Sequence, residues 1–203
     1  MSSIKRKKMT KRGAALLLVF SLVSDVLVYL CDAYGHTVGM VIVKAQTANV
    51  PNQPLQWKTF VSDDKSFTIQ FPTEPIRECD IVNTPNGKIK VIEYLSTSNG
   101  ILYAVMYGDC PINALSGLSL EQILDAIKNH AIENVRDKVL REFSISRAGY
   151  PGREITVKAA NVVLSTQIIL KDNRFYQLVV IAPRDEFFTS QEREFFDSFR
   201  ILR

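Results

Sequence analysis

Residues able to do chemistry are few in this chain and do not cluster. The 203 residues hold two histidines, His36 and His130, and three cysteines. His130 falls at the border of an apolar helical stripe, with no nucleophile or carboxylate placed to make it a general base, and reads as a boundary residue. Cys79 and Cys110 lack a Cys or His neighbour at ligand spacing, so no metal site is expected. Asp63-Asp64 and Asp185-Glu186 are paired carboxylates of the kind that run acid–base hydrolysis. Their settings, a turn beside Lys65 and the approach to a helix N-terminus, explain them as solvated charges. The chain has no Gly-rich phosphate loop, no Gly-x-Ser-x-Gly elbow and no His-Glu-x-x-His helix. No catalytic residue and no cofactor is expected. The most distinctive string is Gly149-Tyr150-Pro151-Gly152-Arg153-Glu154. Pro then Gly suits the centre of a type II turn, with positive φ at Gly152. Tyr150 and Arg153 beside such a turn are the candidate partner contacts, both types being favoured at interface hot spots.

The elements that must position these residues begin after a leader. Residues 1–13 carry Lys5, Arg6, Lys7, Lys8, Lys11 and Arg12 with no acid. An apolar stretch follows, Ala14 to Val23 and then Val26 to Leu30. A basic tail before an apolar run is what a secretory signal presents. Gly13 to Leu30 would span roughly 27 Å as helix, marginal for a bilayer core of about 30 Å, and Asp25 interrupts it. Residues 1–45 are therefore read as a signal peptide or an N-terminal membrane anchor, residues 46–56 as a linker, and residues 57–203 as one domain. Either reading of the leader puts the domain outside the cytoplasm, periplasmic or lumenal.

The domain reads as strands with two helices among them. Trp57–Val61 and Phe67–Phe71 alternate apolar with polar. Arg77–Thr84 and Lys88–Thr97 flank Asn86-Gly87, a strong hairpin signal, and Ile101–Tyr107 follows Asn99-Gly100. Ser119 with Gln122 forms a capping box, and Leu120, Ile123, Leu124, Ile127, Ala131 and Val135 make one stripe, predicting a helix from Leu120 to about Val139. Phe143–Ala148, Glu154–Ala160, Val162–Lys171 and Arg174–Ala182 are further strands, the last two joined at Asp172-Asn173. A second capping box at Thr189 and Glu192 starts a last helix, where Phe187-Phe188 and Phe195-Phe196-Phe199 pack helix onto sheet. Hairpins predominate, so the sheet should be largely antiparallel. Strands apolar on both faces, such as Val179-Val180-Ile181, predict helices covering both sides of an α+β fold.

Composition agrees with one folded domain: 46% hydrophobic and 23% charged residues exclude general disorder. Three cysteines exclude a disulfide scaffold. Of the net +4, the basic tail supplies six and residues 14–45 take one away, which leaves minus one from Gln46 onward. Such a domain has no electrostatic reason to bind nucleic acid. Two-residue turns at Asn86-Gly87 and Asn99-Gly100 would set Cys79 opposite Tyr94 and Cys110 opposite Ile89. That separates them by roughly 17 Å along the sheet, far beyond disulfide reach, so two separate thiols are expected.

Taken in order, Trp57-x-x-Phe60, Phe67-Thr68-Ile69-Gln70-Phe71-Pro72 with Pro75, Gly149 to Glu154, Asn173 to Leu178 and Phe196-x-Ser198-Phe199 resemble small exported bacterial domains. These belong to the PsbP-like α/β-sandwich superfamily, and the resemblance spans about residues 57–202. It implies an antiparallel sheet between covering layers and a non-enzymatic role, as an accessory or assembly factor on a larger complex. The expected partner is an unidentified protein, with the membrane reached through the N-terminal segment. The alternative reading is an extracytoplasmic hydrolase whose site is assembled from distant residues.

Overall fold

The computed structural model describes residues 55–84, 87–125, 139–159, 162–184 and 190–202. Among the described residues there are ten strands: β1 (Lys58–Val61), β2 (Phe67–Phe71), β3 (Ile76–Thr84), β4 (Gly87–Ser98), β5 (Ile101–Asp109), β6 (Val139–Arg147), β7 (Tyr150–Ala159), β8 (Val162–Lys171), β9 (Arg174–Pro183) and β10 (Arg200–Ile201). The helices are α1 (Ile112–Leu115), α2, described over residues 120–125, and α3 (Ser190–Ser198). All sheet pairs are antiparallel. Seven strands form one sheet in the order β3-β4-β5-β9-β8-β7-β6, and β1-β2-β10 form a second.

The second sheet corrects the expectation that helices cover both faces. Phe67, Ile69 and Phe71 alternate inward along β2 and are almost fully buried, so β2 brings β1 and β10 onto one face of the large sheet beside α3. Phe67 there meets the rings of Tyr94, Tyr107, Tyr176 and Phe199 at centroid distances of 5.5 to 6.1 Å. Burial of each such ring stabilises by about 2–3 kcal/mol. Tyr103, Leu178 and Phe195 extend this core. On the opposite face Leu115, Leu118, Leu120, Ile123 and Leu124 pack on Ile89, Met106, Ile155, Ile168 and Phe175.

Both predicted capping residues at the start of α2 act as a reciprocal pair. The Ser119 amide donates to Gln122 Oε1 at 2.8 Å and the Gln122 amide donates to Ser119 Oγ at 3.2 Å. Val139, the approximate far end predicted for this helix, belongs to β6, and residues 126–138 lie outside the described residues. His130 lies outside the described residues, as do Thr189, Asp185-Glu186, Phe187-Phe188 and the whole leader. No helix among the described residues is long and apolar enough to cross a membrane.

Two turns differ from the sequence reading. Strands β6 and β7 pair Arg147 with Tyr150, so the loop is Ala148-Gly149, with φ of +53° and +84°. Two successive positive φ values match the right-handed strand twist better than a type II turn does. Pro151 and Gly152 therefore lie inside β7. Gly152 is needed for closeness rather than for φ: a Cβ there would sit 2.3 Å from the Ile168 carbonyl oxygen. Strands β3 and β4 pair Thr84 with Gly87, which places Gly87 in β4 rather than in the turn and sets Cys79 opposite Ile92. A slip of two residues keeps every side chain on its face, so the apolar pattern cannot distinguish the two registers. Ser98 opposite Ile101 and Lys171 opposite Arg174 are as expected. Both thiols are free, as predicted, and lie on opposite faces: Cys110 is buried in the helix-side core while Cys79 pairs with Ile92 on the aromatic side.

Candidate binding cleft

Seven strands are wider than the three-stranded layer laid upon them. At the β6 end the large sheet extends past α3 and β10, and a cleft of about 270 Å³ opens between the overhanging strands and the helix. Arg141 and Arg147 of β6, Glu154 of β7 and Gln167 of β8 line its sheet side; Glu192, Arg193 and Asp197 of α3 line the other, above Phe196. A shallower continuation shares Arg147 and Asp197 and runs along Ser146, Arg200 and Ile201.

The polar groups of the cleft are cross-linked. Arg147 Nε donates to Gln167 Oε1 at 3.2 Å, and its terminal nitrogen reaches Asp197 at 3.0 Å. Gln167 in turn donates to Glu154, its neighbour across the β7–β8 pairing. Below them the hydroxyls of Thr156 and Ser165 lie 3.2 Å apart. Burial pushes the Glu192 carboxyl above the ordinary carboxylate range and Glu154 adds to that push. A hydrogen bond to Ser165 and the charges of Arg141 and Arg193 work against it. Three guanidinium groups thus face three carboxyl groups, an array that suits a partner carrying both donors and acceptors and selects for geometry rather than net charge.

The candidate contacts Tyr150 and Arg153 are placed on opposite faces. Tyr150 packs against the aromatic core, with the Lys171 ammonium 5.3 Å from its ring centroid. The Arg153 side chain is 8% exposed and is clamped by Glu121 at 2.7 Å, Glu142 at 2.9 Å and Asp125. Burial disfavours its charge, but the three carboxylates hold the guanidinium protonated. This network ties α2 to β6 and β7. The Gly149–Glu154 string therefore serves a hairpin, a close strand contact and an internal ion cluster.

The acidic pair Asp63-Asp64 also has structural partners. Asp63 meets Arg77 at 2.8 Å. Burial acts to raise the Asp64 carboxyl, yet hydrogen bonds from Ser66, Arg174 and Ser62 outweigh it and bring it to about 2. Arg174 also forks onto Asp109 and covers the Tyr107 ring at 5.1 Å. Glu93 has the opposite environment. It faces Glu78 across β3–β4, and its Oε1 is buried without a hydrogen-bond partner. Burial, then the charges of Glu78 and Asp80, push its carboxyl up to about 7. Among the described residues no group of His, Cys, Asp and Glu could hold a metal ion.

None of the cleft residues was singled out from the sequence as a binding residue; Glu154, Glu192 and Phe196 were read there as turn-string, capping and packing residues. Ser165-Thr166-Gln167 was the available signal, since three polar residues interrupt an otherwise apolar strand. All three are buried, which requires polar partners nearby.

No protein-family model matches this chain, and none of the curated proteins does. Among solved structures, cyanobacterial PsbP (CyanoP) from Synechocystis sp. PCC 6803 is similar over 75% of this chain and 96% of its own, with a TM-score of 0.53 and 8% identity. A protein of unknown function from Pseudomonas aeruginosa, described as a putative regulator, reaches a TM-score of 0.35 at 6% identity over 64% of this chain and 85% of its own, too distant to carry an argument. The domain has the PsbP-like fold.

Proposed function

We propose that this chain is an exported accessory domain that works by holding a protein partner, with its N-terminal segment at or through the membrane. The observation that carries the reading is the cleft beneath the β6 overhang. It presents forked guanidinium donors and carboxylate acceptors on rigid strands and a helix, beside the exposed Leu140 and Phe143 of β6. Aromatic anchors next to directional polar groups are what interface hot spots use. The fold likeness supports a PsbP-like scaffold, and the accessory role is our extension of it. Tyr150 remains a candidate contact at the margin of the aromatic core, whereas the guanidinium of Arg153 is committed to its own chain.

The test is photo-crosslinking from intact membranes with a probe at Arg193 in the cleft and a control probe at Ile76 on the far edge. A discrete heterologous protein captured at 193, absent at 76 and lost on Arg147→Glu, supports the reading. Equal capture at both positions refutes it. Export is tested separately by fusing residues 1–45 to a reporter enzyme active only outside the cytoplasm, where an inactive reporter would sink that part. One observation favours hydrolysis as a second reading: Glu192, raised by burial, stands near Glu154 in the cleft. Hydrolysis of an ester or glycoside panel that disappears in Glu192→Gln would replace the binding role.

A further inference from the structure

The two edges of the large sheet, β3 and β6, differ in what they allow. An edge strand offers unpaired N–H and C=O groups to any strand that can lie beside it, and proteins guard such edges with charge and bulges. β3 is the more acidic edge. Glu78 and Asp80 lie on one face with Glu93 behind them, so a second copy paired about residue 78, 79 or 80 would set acid against acid. The strand also exposes Ile76 and Ile81, and pairing about Ile81 opposes no like charges, so these acids exclude its central registers rather than the whole edge. β6 has a bulge between Val139 and Arg141 but is regular from there to Arg147, and it exposes Leu140 at 41% and Phe143 at 50%.

We propose that two copies of the chain pair antiparallel through β6, about a twofold axis at Phe143, and join their seven-stranded sheets into one of fourteen. This inference gives Phe143, placed above beside the partner's cleft, to a second copy; its register test below reads only contacts between copies, so its failure is distinguishable from failure of the heterologous reading. A twofold axis normal to a continuous sheet preserves its faces, so each residue meets one of the same parity and the axis must pass through a residue. Centring on Glu142 opposes that carboxylate to itself. Centring on Ser144 opposes Arg141 to Arg147 twice. Centring on Ile145 sets Phe143 against Arg147, whose guanidinium is already turned into the cleft toward Gln167 and Asp197. Centring on Phe143 pairs its ring with its own copy, Glu142 with Ser144 and Arg141 with Ile145, with no like charges opposed. It covers the most exposed apolar side chain of the strand and keeps the five paired residues clear of the bulge. The pairing is isologous, so it closes at two copies.

Cysteines added one at a time to the full chain, with Cys31 and Cys79 changed to Ser and the buried Cys110 kept, test the register. Phe143→Cys would lie directly opposite its copy, within disulfide reach. Ser146→Cys would lie opposite Leu140, roughly 20 Å from its copy, and serves as control. Mild oxidation should yield roughly tenfold more covalent dimer at 143 than at 146, given the limit of about 7 Å. In detergent the unaltered chain should sediment as a dimer and Phe143→Lys as a monomer that still melts cooperatively, since the ring is half exposed in the single chain and only the dimer's contribution to stability is lost. Equal crosslinking at the two positions, crosslinking favoured at Ile145→Cys, a monomeric unaltered chain, open higher assemblies, or a dimer that survives Phe143→Lys would each overturn the proposal.

Discussion

Glu93 is a carboxylate that the fold would hold more comfortably without its charge, and Glu93→Gln tests that directly. The side chain lies on the helix-side face of β4, opposite Glu78 of β3 and Met106 of β5, with Asp80 one step along. Its buried Oε1 has no donor. A rise from the ordinary 4.5 to about 7 means that the folded protein binds a proton more tightly than the unfolded chain. Between those two values the folded state holds a proton that the unfolded state has lost, so stability falls as pH rises from about 4.5 to about 7. At about 1.4 kcal/mol per pH unit the full cost is about 3 kcal/mol, an upper figure because part of the side chain reaches solvent. Gln keeps the shape and removes the charge. Urea melts of both proteins from pH 4 to pH 8 should give similar stabilities at the acid end. At pH 8 the variant should be more stable by about 2–3 kcal/mol, or roughly 5–10 °C in Tm. Taking the difference between variant and parent cancels the titrating groups that do not interact with Glu93, leaving Glu93 with its coupled neighbours Glu78 and Asp80. A difference that stays flat with pH, or a variant less stable at pH 8, would refute the reading of Glu93 as a desolvated, repelled carboxylate.

Gly152→Ala should lower stability by roughly 3 kcal/mol or leave the chain unfolded, since the added methyl meets a backbone carbonyl that cannot move aside; thermal melting by circular dichroism decides it. Arg153→Ala should cost about 3 kcal/mol in urea unfolding, whereas Glu121→Gln, 66% exposed, should cost a few tenths; comparable losses would contradict a shared clamp on one buried cation. Iodoacetamide at pH 8 should label Cys79 in the native protein and spare Cys110, whose thiol is pushed up to about 11 by burial and then by Asp109; mass spectrometry should find no peptide joining the two.

What the residues alone determined was local. Period-two alternation located β2, the reciprocal Ser119–Gln122 cap located the start of α2, and Asn99-Gly100 and Asp172-Asn173 set their hairpin registers, because each needs only neighbours in the chain. The separateness of the thiols was legible too, since the two-residue slip still leaves Cys79 and Cys110 three residues apart along the sheet and two strands across it. Tertiary structure decided the rest. A two-residue slip in the β3–β4 pairing changes no face and so leaves no trace in the apolar pattern. Gly152 looked like a turn residue, and only its distance to the Ile168 carbonyl shows that it serves close packing. Arg153 looked like a surface contact, but Glu121, Asp125 and Glu142 come from two other elements, as much as 32 residues away, and meet only when α2 docks. The cleft exists because a seven-stranded sheet outreaches the three strands and one helix that cover it, a difference in width that no single segment of sequence contains.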